Sequence, residues 1–122
     1  MPFTPEVIDH FEHPRHAGDL PGADVVVRVE NPVCGDILEL SAVLHQTKFS
    51  AVSFKAKGCV AAMAAGSAIT ELLSGKDFRS AADLKREHVI QALGGLSPES
   101  MHVSHLAIDG VRALISAAKN RA

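Results

Sequence analysis

The chain has 122 residues, of which 47% are hydrophobic and 21% charged, and its formal net charge is −2 at pH 7. This length and composition predict a single domain over residues 1–122, with a substantial hydrophobic core and no room for a second domain. The charge balance excludes a strongly basic nucleic-acid binder. All aromatic residues are phenylalanines, five in number, which argues against stacking platforms for single-stranded nucleic acid.

Three features bear on the expected location. No apolar run approaches the roughly 20 residues of a membrane-spanning helix. Residues 1–6 lack the basic start and the apolar stretch of a signal peptide, so we expect no membrane association and a cytoplasmic protein. The two cysteines, Cys34 and Cys59, are too few for a disulfide scaffold. In a reducing compartment they are buried thiols, metal ligands or reactive sulfurs.

The first half of the chain predicts a short helix followed by three strands. Thr4 is suited to cap the helix and Pro14 to stop it. Residues 25–29 are rich in valine and predict the first strand, 36–44 the second, and the alternating stretch 49–57 the third. Because only short turns separate these strands, the sequence predicts an antiparallel meander.

The second half predicts helices. From Cys59 the apolar residues recur with a helical period as far as Gly75, and residues 76–95 predict one or two short helices. Ser97 and Pro98 are expected to open a long last helix as its cap and first residue. The predicted fold class is therefore α+β: a three-stranded antiparallel meander with helices packed on one face and a long C-terminal helix.

The meander brings distant residues to one end of the sheet. Cys34 lies in the turn before the second strand, and Cys59 follows the third strand, which returns to that turn. Asp36 adds an oxygen nearby, and the start of the last helix, with His102, has room to reach the same end. Two thiolates, a carboxylate and an imidazole suit zinc or iron. The alternative is two buried cysteines that act as small hydrophobic side chains.

Glycines flank both cysteines in the sequence. Gly35 follows Cys34 and Gly58 precedes Cys59. We expect these two positions to need a positive φ or a close backbone approach that a Cβ atom would prevent.

The other histidines give weaker signals. His105 points away from position 103 on a regular helix, so pairing with Asp109 at the surface is expected rather than metal binding. His10, His13 and His16 are not expected to bind metal together, since Pro14 breaks the helix that would align them. His45 and His88 are expected to be solvated.

Four segments carry a resemblance to a known family, and they extend over nearly the whole chain. They are VIDHFEHPR at 7–15, NPVCGD at 31–36, the stretch from KGC at 57–59 through TE at 70–71 to SGK at 74–76, and MHVSHLA at 101–107. With these segments the chain resembles the IscU/NifU-type iron–sulfur cluster assembly scaffolds.

The resemblance implies a non-enzymatic scaffold that works with a cysteine desulfurase as sulfur donor and passes its cargo to acceptor apo-proteins. It places Cys34, Asp36, Cys59 and His102 at the ligand positions of the family. The expected cargo is a labile iron–sulfur cluster of the two-iron two-sulfur type, or a zinc or iron ion.

This chain departs from the family pattern at two places. Val103 stands where the family has a third cysteine, which serves as cluster ligand and sulfur acceptor. The family's chaperone-docking segment, Leu-Pro-Pro-Val-Lys, reads LSPES at 96–100, so docking of the heat-shock chaperone is doubtful. The spacing from Cys59 to His102 also leaves no room for the insertion of the SufU branch. Two alternatives therefore remain: a persulfide-accepting partner of a desulfurase, and a divergent paralogue with a regulatory or structural role only.

Overall fold

The computed structural model describes residues 3–121 of the chain. Met1, Pro2 and Ala122, which the predicted domain also includes, lie outside the described residues. The elements alternate between a three-stranded sheet and the helices around it. In chain order they are α1 (Pro5–Glu12), β1 (Val25–Glu30), β2 (Ile37–His45), β3 (Lys48–Lys57), α2 (Val60–Leu73), α3 (Phe78–Ala82), α4 (Arg86–Ala92), a 3₁₀ turn (Pro98–Ser100) and α5 (His102–Arg121). None of the helices in residues 3–121 combines the length and the apolar character needed to span a membrane.

The predicted sheet and its first helix are confirmed. Thr4 caps α1, because its side-chain oxygen accepts a hydrogen bond from the Val7 N–H at 3.0 Å. The strands pair antiparallel in the order β1-β2-β3. A six-residue loop joins β1 to β2 and a two-residue turn joins β2 to β3, so the end of β3 returns to the loop that precedes β2. The α+β class with a long C-terminal helix is therefore confirmed.

Helices cover one face of the sheet. Helix α5 packs on β1 and β2, and α2 packs on β3. Two glycines allow this close packing: a Cβ atom at Gly66 would lie 2.5 Å from the Phe54 ring, and one at Gly110 would lie 3.0 Å from Leu40. Larger residues at either position would separate the helix from the sheet.

Helix α2 is more deeply buried than a single apolar stripe predicts. Residues on all its sides are buried, because α1 covers the side that the sheet leaves open. Alanine, glycine and serine fill most of these positions, and such small side chains let two neighbouring layers approach the helix closely. Helix α2 therefore forms the centre of the molecule between α1 and the sheet.

The start of the last helix differs from the prediction. Ser97 and Pro98 open a separate 3₁₀ turn, and the α-helix begins only at His102. His102 is consequently the first helical residue, at an end of α5 that points toward the turn before β2. This placement decides which side chains His102 can meet.

Candidate metal centre

Cys34 lies in a loop that its own polar groups hold closed. The Asn31 side-chain oxygen accepts hydrogen bonds from the Val33 N–H at 3.0 Å and from the Cys34 N–H at 3.4 Å. The Gly35 N–H donates to the Asn31 carbonyl at 2.7 Å, and Gly35 has the expected positive φ of 76°. This loop presents Cys34 to solvent next to Val33, whose exposed fraction is 91%.

Asp36 is the buried centre of the candidate site, with only 4% of its surface exposed. Its Oδ1 accepts a hydrogen bond from the Cys59 N–H at 3.3 Å, and its Oδ2 lies 3.0 Å from His102 Nε2. The carboxylate therefore connects the turn before β2 with the beginnings of α2 and α5.

Gly58 makes room for this carboxylate, as expected for a close backbone approach. Its φ is 149°, and a Cβ atom at this position would lie 2.1 Å from Asp36 Oδ1. Any larger residue would collide with the carboxylate or displace it. Gly58 therefore fixes the position of Asp36 although it contributes no ligand atom.

The two cysteines reach the carboxylate from different sides. Ligand atoms of Cys34, Asp36 and His102 lie within 4.8 Å of one another. Cys59 is not part of this three-residue group, but its Sγ lies 3.7 Å from Asp36 Oδ2. Both cysteines are free and exposed, so the interpretation of buried hydrophobic thiols is wrong.

Cys59 also caps helix α2. Its Sγ accepts a hydrogen bond from the Ala62 N–H at 3.4 Å. Desolvation around the sulfur raises the pKa of the Cys59 thiol, and the Asp36 carboxylate acts in the same direction, against the lowering effect of the helix N–H groups. Without a cation, Cys59 is therefore a thiol at neutral pH, and a bound cation would displace its proton.

The donor set suits a borderline or soft cation. Sulfur, carboxylate oxygen and imidazole nitrogen converge at the sheet end, and Cys34 and Cys59 leave the approach open to solvent. Zinc and iron bind such mixed sets, whereas magnesium and calcium prefer all-oxygen sites. The arrangement can hold a cation or a small cluster at the surface, where it can be delivered and removed.

His10 occupies a position that the sequence pattern does not reveal. It is 7% exposed, and its Nδ1 lies 2.8 Å from the hydroxyl oxygen of Ser67. Ser67, on the buried helix α2, was not predicted as its partner. The alanine-rich period around Ser67 indicates burial, but it does not indicate which helix covers the serine.

The remaining histidine predictions have mixed outcomes. His105 is exposed and forms no ion pair with Asp109 in the described part of the chain, so that expected pairing is wrong. His45 and His88 are exposed as expected. The His88 ring nitrogen also accepts a hydrogen bond from the Lys85 N–H at 2.9 Å, which caps α4.

Val103 is fully buried in the second position of α5. It belongs to the core that the sheet and the helices share. The position at which the family has its third cysteine is thus an apolar packing position in this chain.

Fold and site together define a small α+β protein in which two exposed thiols, a buried carboxylate and an imidazole lie together at one end of the sheet. The sequence model of the NifU-like N terminal domain matches residues 2–122. The chain belongs to this family, as the resemblance predicted.

Named relatives agree with this assignment. Two iron–sulfur cluster assembly scaffold proteins IscU of Archaeoglobus fulgidus are 39% identical over 113 residues, which cover 93% of this chain and 74% of each relative. A scaffold protein of the same name from Buchnera aphidicola subsp. Baizongia pistaciae is 34% identical, with 99% of this chain and 98% of the relative covered.

Solved structures show the same fold. A hypothetical protein is 26% identical with a TM-score of 0.74, over 91% of this chain and 94% of that one. A putative scaffold protein for the SUF system from Fervidobacterium islandicum has a TM-score of 0.73 at 17% identity, over 93% and 96% of the two chains. At that identity the second comparison supports the fold alone.

Proposed function

We propose that this chain is an iron–sulfur cluster assembly scaffold that holds iron, zinc or a labile cluster through Cys34, Asp36, Cys59 and His102. The observation that carries the proposal is the convergence of Cys34, Asp36 and His102 within 4.8 Å, with Cys59 in contact with the same carboxylate. The named relatives are iron–sulfur cluster assembly scaffold proteins, and the match to this chain covers most of their length. The protein is a carrier for its cargo rather than a catalyst.

The geometry favours a site that binds and releases. Asp36 already holds His102 Nε2 and the Cys59 N–H, so the carboxylate keeps ligands from three elements close together before the cargo arrives. A carboxylate is a harder ligand than a thiolate, and both sulfurs are exposed. Cargo bound here exchanges readily, which serves transfer to an acceptor.

The proposal includes partners and a compartment. A cysteine desulfurase would supply sulfur, and acceptor apo-proteins would take the finished cluster. Two exposed free thiols stay reduced in the cytoplasm, where we place the protein.

Elemental analysis of anaerobically purified protein, followed by zinc titration, tests the proposal. We expect about one zinc ion per chain. Zinc at a hundredfold excess over its Kd should stabilise the fold by about 2.7 kcal/mol, seen as a rise in Tm. A Tm that neither zinc nor a chelator moves would contradict the proposal.

Matched variants locate the site. Cys34→Ser and His102→Asn should each raise the zinc Kd at least about 10-fold, because even residues that only orient ligands cost that much. His105→Asn is the control, since His105 is exposed one helical turn further along and is not part of the cluster. Equal losses in His102→Asn and His105→Asn would place the zinc elsewhere.

A second candidate function is sulfur transfer, and the exposure of Cys34 favours it. The Cys34 thiolate would attack the outer sulfur of a desulfurase persulfide. A new S–S bond forms at Cys34, and the donor cysteine leaves as its thiolate. After incubation with a desulfurase and free cysteine, the mass of the Cys34 peptide should increase by one sulfur. A Cys59 peptide that gains the sulfur instead would exclude Cys34 as the acceptor.

A further inference from the structure

A surface furrow runs between α5 and the pair of short helices α3 and α4. It consists of three adjoining depressions with volumes of about 270, 400 and 520 Å³. Arg112 lines the first and the second, and Lys119 lines the second and the third. We call this continuous depression the α5 furrow.

Cations line the α5 furrow along its whole length. They are Arg79, Lys85, Arg86, Arg112 and Lys119. None of these five forms an ion pair with another residue in 3–121. The furrow therefore concentrates unneutralised positive charge on a protein whose net charge is −2.

The outer face of the sheet provides a contrast. Arg28 lies 3.9 Å from Glu30, and the Lys55 ammonium contacts Asp19 at 2.8 Å and Glu39 at 3.4 Å. Arg28 and Lys55 of that face are thus paired with acidic side chains of the protein itself. The cations of the furrow are available to an external partner.

Acidic side chains offset only part of the positive charge in the furrow. Asp77, Glu87 and Asp109 also line it. Asp77 is engaged as the N-cap of α3, where its Oδ1 accepts a hydrogen bond from the Ser80 N–H at 2.7 Å. Five cations against three acids leave the furrow positive, so electrostatic complementarity favours an acidic occupant.

The floor and the length of the furrow indicate the shape of that occupant. Its floor contains the apolar side chains of Leu84, Ile108, Val111 and Ile115. Along α5 it extends from His105 to Lys119, about 21 Å at the rise of 1.5 Å per helical residue. The apolar part of the floor on α5, from Ile108 to Ile115, is about 10 Å long, and charged side chains line the furrow beyond it at both ends. This pattern matches an amphipathic helix of about 14 residues lying in a groove.

We propose that the α5 furrow docks an acidic amphipathic helix of a partner protein. One end of the furrow lies at His105, one helical turn from His102. At this end the Arg86 guanidinium is held by a hydrogen bond from its Nε to the Ser104 hydroxyl oxygen at 3.1 Å. A partner docked here would have one end about one helical turn from His102, and the furrow's lining residues include none of the candidate ligands. The furrow thereby gives a cargo donor or acceptor a holding surface separate from the ligands.

A defined peptide tests the proposal. The probe is a capped 14-residue helix with glutamates on one face and leucines on the other, titrated into the full-length isotope-labelled chain. We expect NMR shift changes at amides of α3, α4 and α5, and binding that weakens as salt is added. A peptide with lysine in place of every glutamate should not bind. Shift changes elsewhere, or no binding of the acidic peptide, would overturn the proposal.

Charge-reversed variants distinguish the furrow from general charge effects. Arg112→Glu with Lys119→Glu should raise the peptide Kd at least about 10-fold, which corresponds to 1.4 kcal/mol. Arg28→Glu with Lys55→Glu changes the net charge equally on the outer sheet face, and its peptide Kd should stay within about twofold of wild type. Equal losses in both double variants would overturn the proposal.

Two further measurements test whether the loss of peptide binding is specific to the α5 furrow. Zinc binding by the furrow variant should be unchanged, because neither substituted residue lies in the metal centre. If charge reversal impairs folding, the neutral double variant Arg112→Gln with Lys119→Gln replaces it. This variant should still weaken peptide binding. A wild-type dimer in sedimentation that dissociates in the furrow variant would identify a second copy as the occupant and refute the acidic helix.

Discussion

Two histidines of this molecule lie in polar clusters with opposite characters. His102, at the start of α5, has its Nε2 3.0 Å from the Asp36 carboxylate and keeps 26% of its side chain exposed. His10, on α1, keeps 9% of its side chain exposed and lies against Ser67 and Glu71 of α2. The first cluster adjoins two exposed thiols, and the second joins two helices.

The hydrogen bonds explain the difference in role. The Ser67 oxygen accepts the Arg15 N–H at 2.9 Å, so its own proton is free to be donated to His10 Nδ1. The other nitrogen of His10 then carries its proton and faces a Glu71 oxygen at 3.7 Å. Both ring nitrogens serve packing, and none is left for a cation. At the candidate metal centre, by contrast, the Asp36 carboxylate could itself bind a metal ion, and it holds the His102 ring beside two exposed sulfur atoms.

Gly58→Ala should have the largest effect, and it should disrupt the candidate metal centre while leaving the His10 cluster intact. The new Cβ atom would collide with Asp36 Oδ1, so the carboxylate must move away from Cys59 and His102. We expect the zinc Kd to rise about 10- to 100-fold, and the free energy of unfolding to fall by about 1–3 kcal/mol because of backbone strain. Calorimetric zinc titration and denaturant unfolding measure the two effects.

Gly75→Ala is the matched control for Gly58→Ala. Gly75 also has a positive φ, of 82°, but a Cβ atom there would meet nothing within 4 Å. Gly75→Ala should lower the free energy of unfolding by a similar amount and leave the zinc Kd unchanged. If both variants lose zinc alike, strain in the chain rather than the position of Asp36 controls the site.

Ser67→Ala should break the second cluster and leave the first intact. It removes the partner of His10 Nδ1 and of the Arg15 N–H, and both groups lie where α1 meets α2. Loss of these hydrogen bonds should lower the free energy of unfolding by about 1–3 kcal/mol, with no change in zinc affinity. Chemical denaturation gives the first value and zinc titration the second.

Ser116→Ala provides the comparison for Ser67→Ala, because Ser116 is exposed on α5. Its effect on the free energy of unfolding should stay within about 0.5 kcal/mol. A Ser67 variant as stable as the Ser116 variant would show that the His10 cluster contributes nothing to the docking of α1.

The pH dependence of stability should give the smallest effect. Burial lowers the pKa of His10 below its usual value of 6.5, and the Arg15 charge adds to this, while Glu71 and Asp9 oppose it. The unfolded chain therefore binds the proton first as the pH falls. The contribution of neutral His10 is complete above about pH 6.5 and is lost as the pH falls further, by at most about 1.4 kcal/mol per pH unit.

His10→Gln isolates this contribution. With chelator present, its free energy of unfolding should fall less steeply than that of wild type below pH 6.5, and the two slopes should match above it. Parallel curves from pH 5 to pH 8 would mean that His10 has the same pKa in both states.

Much of the fold follows from local patterns in the sequence. The meander came from valine-rich and alternating stretches with short turns between them, and it brought Cys34 and Cys59 to one end of the sheet. The sequence was less informative about which elements pack against each helix. The hydrophobic period indicates which face of α2 is apolar, but Ser67 lies off that face and is buried where α1 packs on α2, and the period of α2 does not encode that packing.

By itself the sequence determined most of the elements, the antiparallel order of the strands and the residue types of the candidate metal centre, because these depend on neighbours along the chain and on short connections. Only the tertiary structure decided that Asp36 meets His102 across 66 positions and that His10 is enclosed while His102 stays accessible. It also decided that one furrow is lined by five cations that form no ion pair within residues 3–121. Each of these outcomes depends on how separate helices dock on the sheet. Docking is governed by shape and volume in the packed core, such as the space left by Gly66 and Gly110, rather than by any local period.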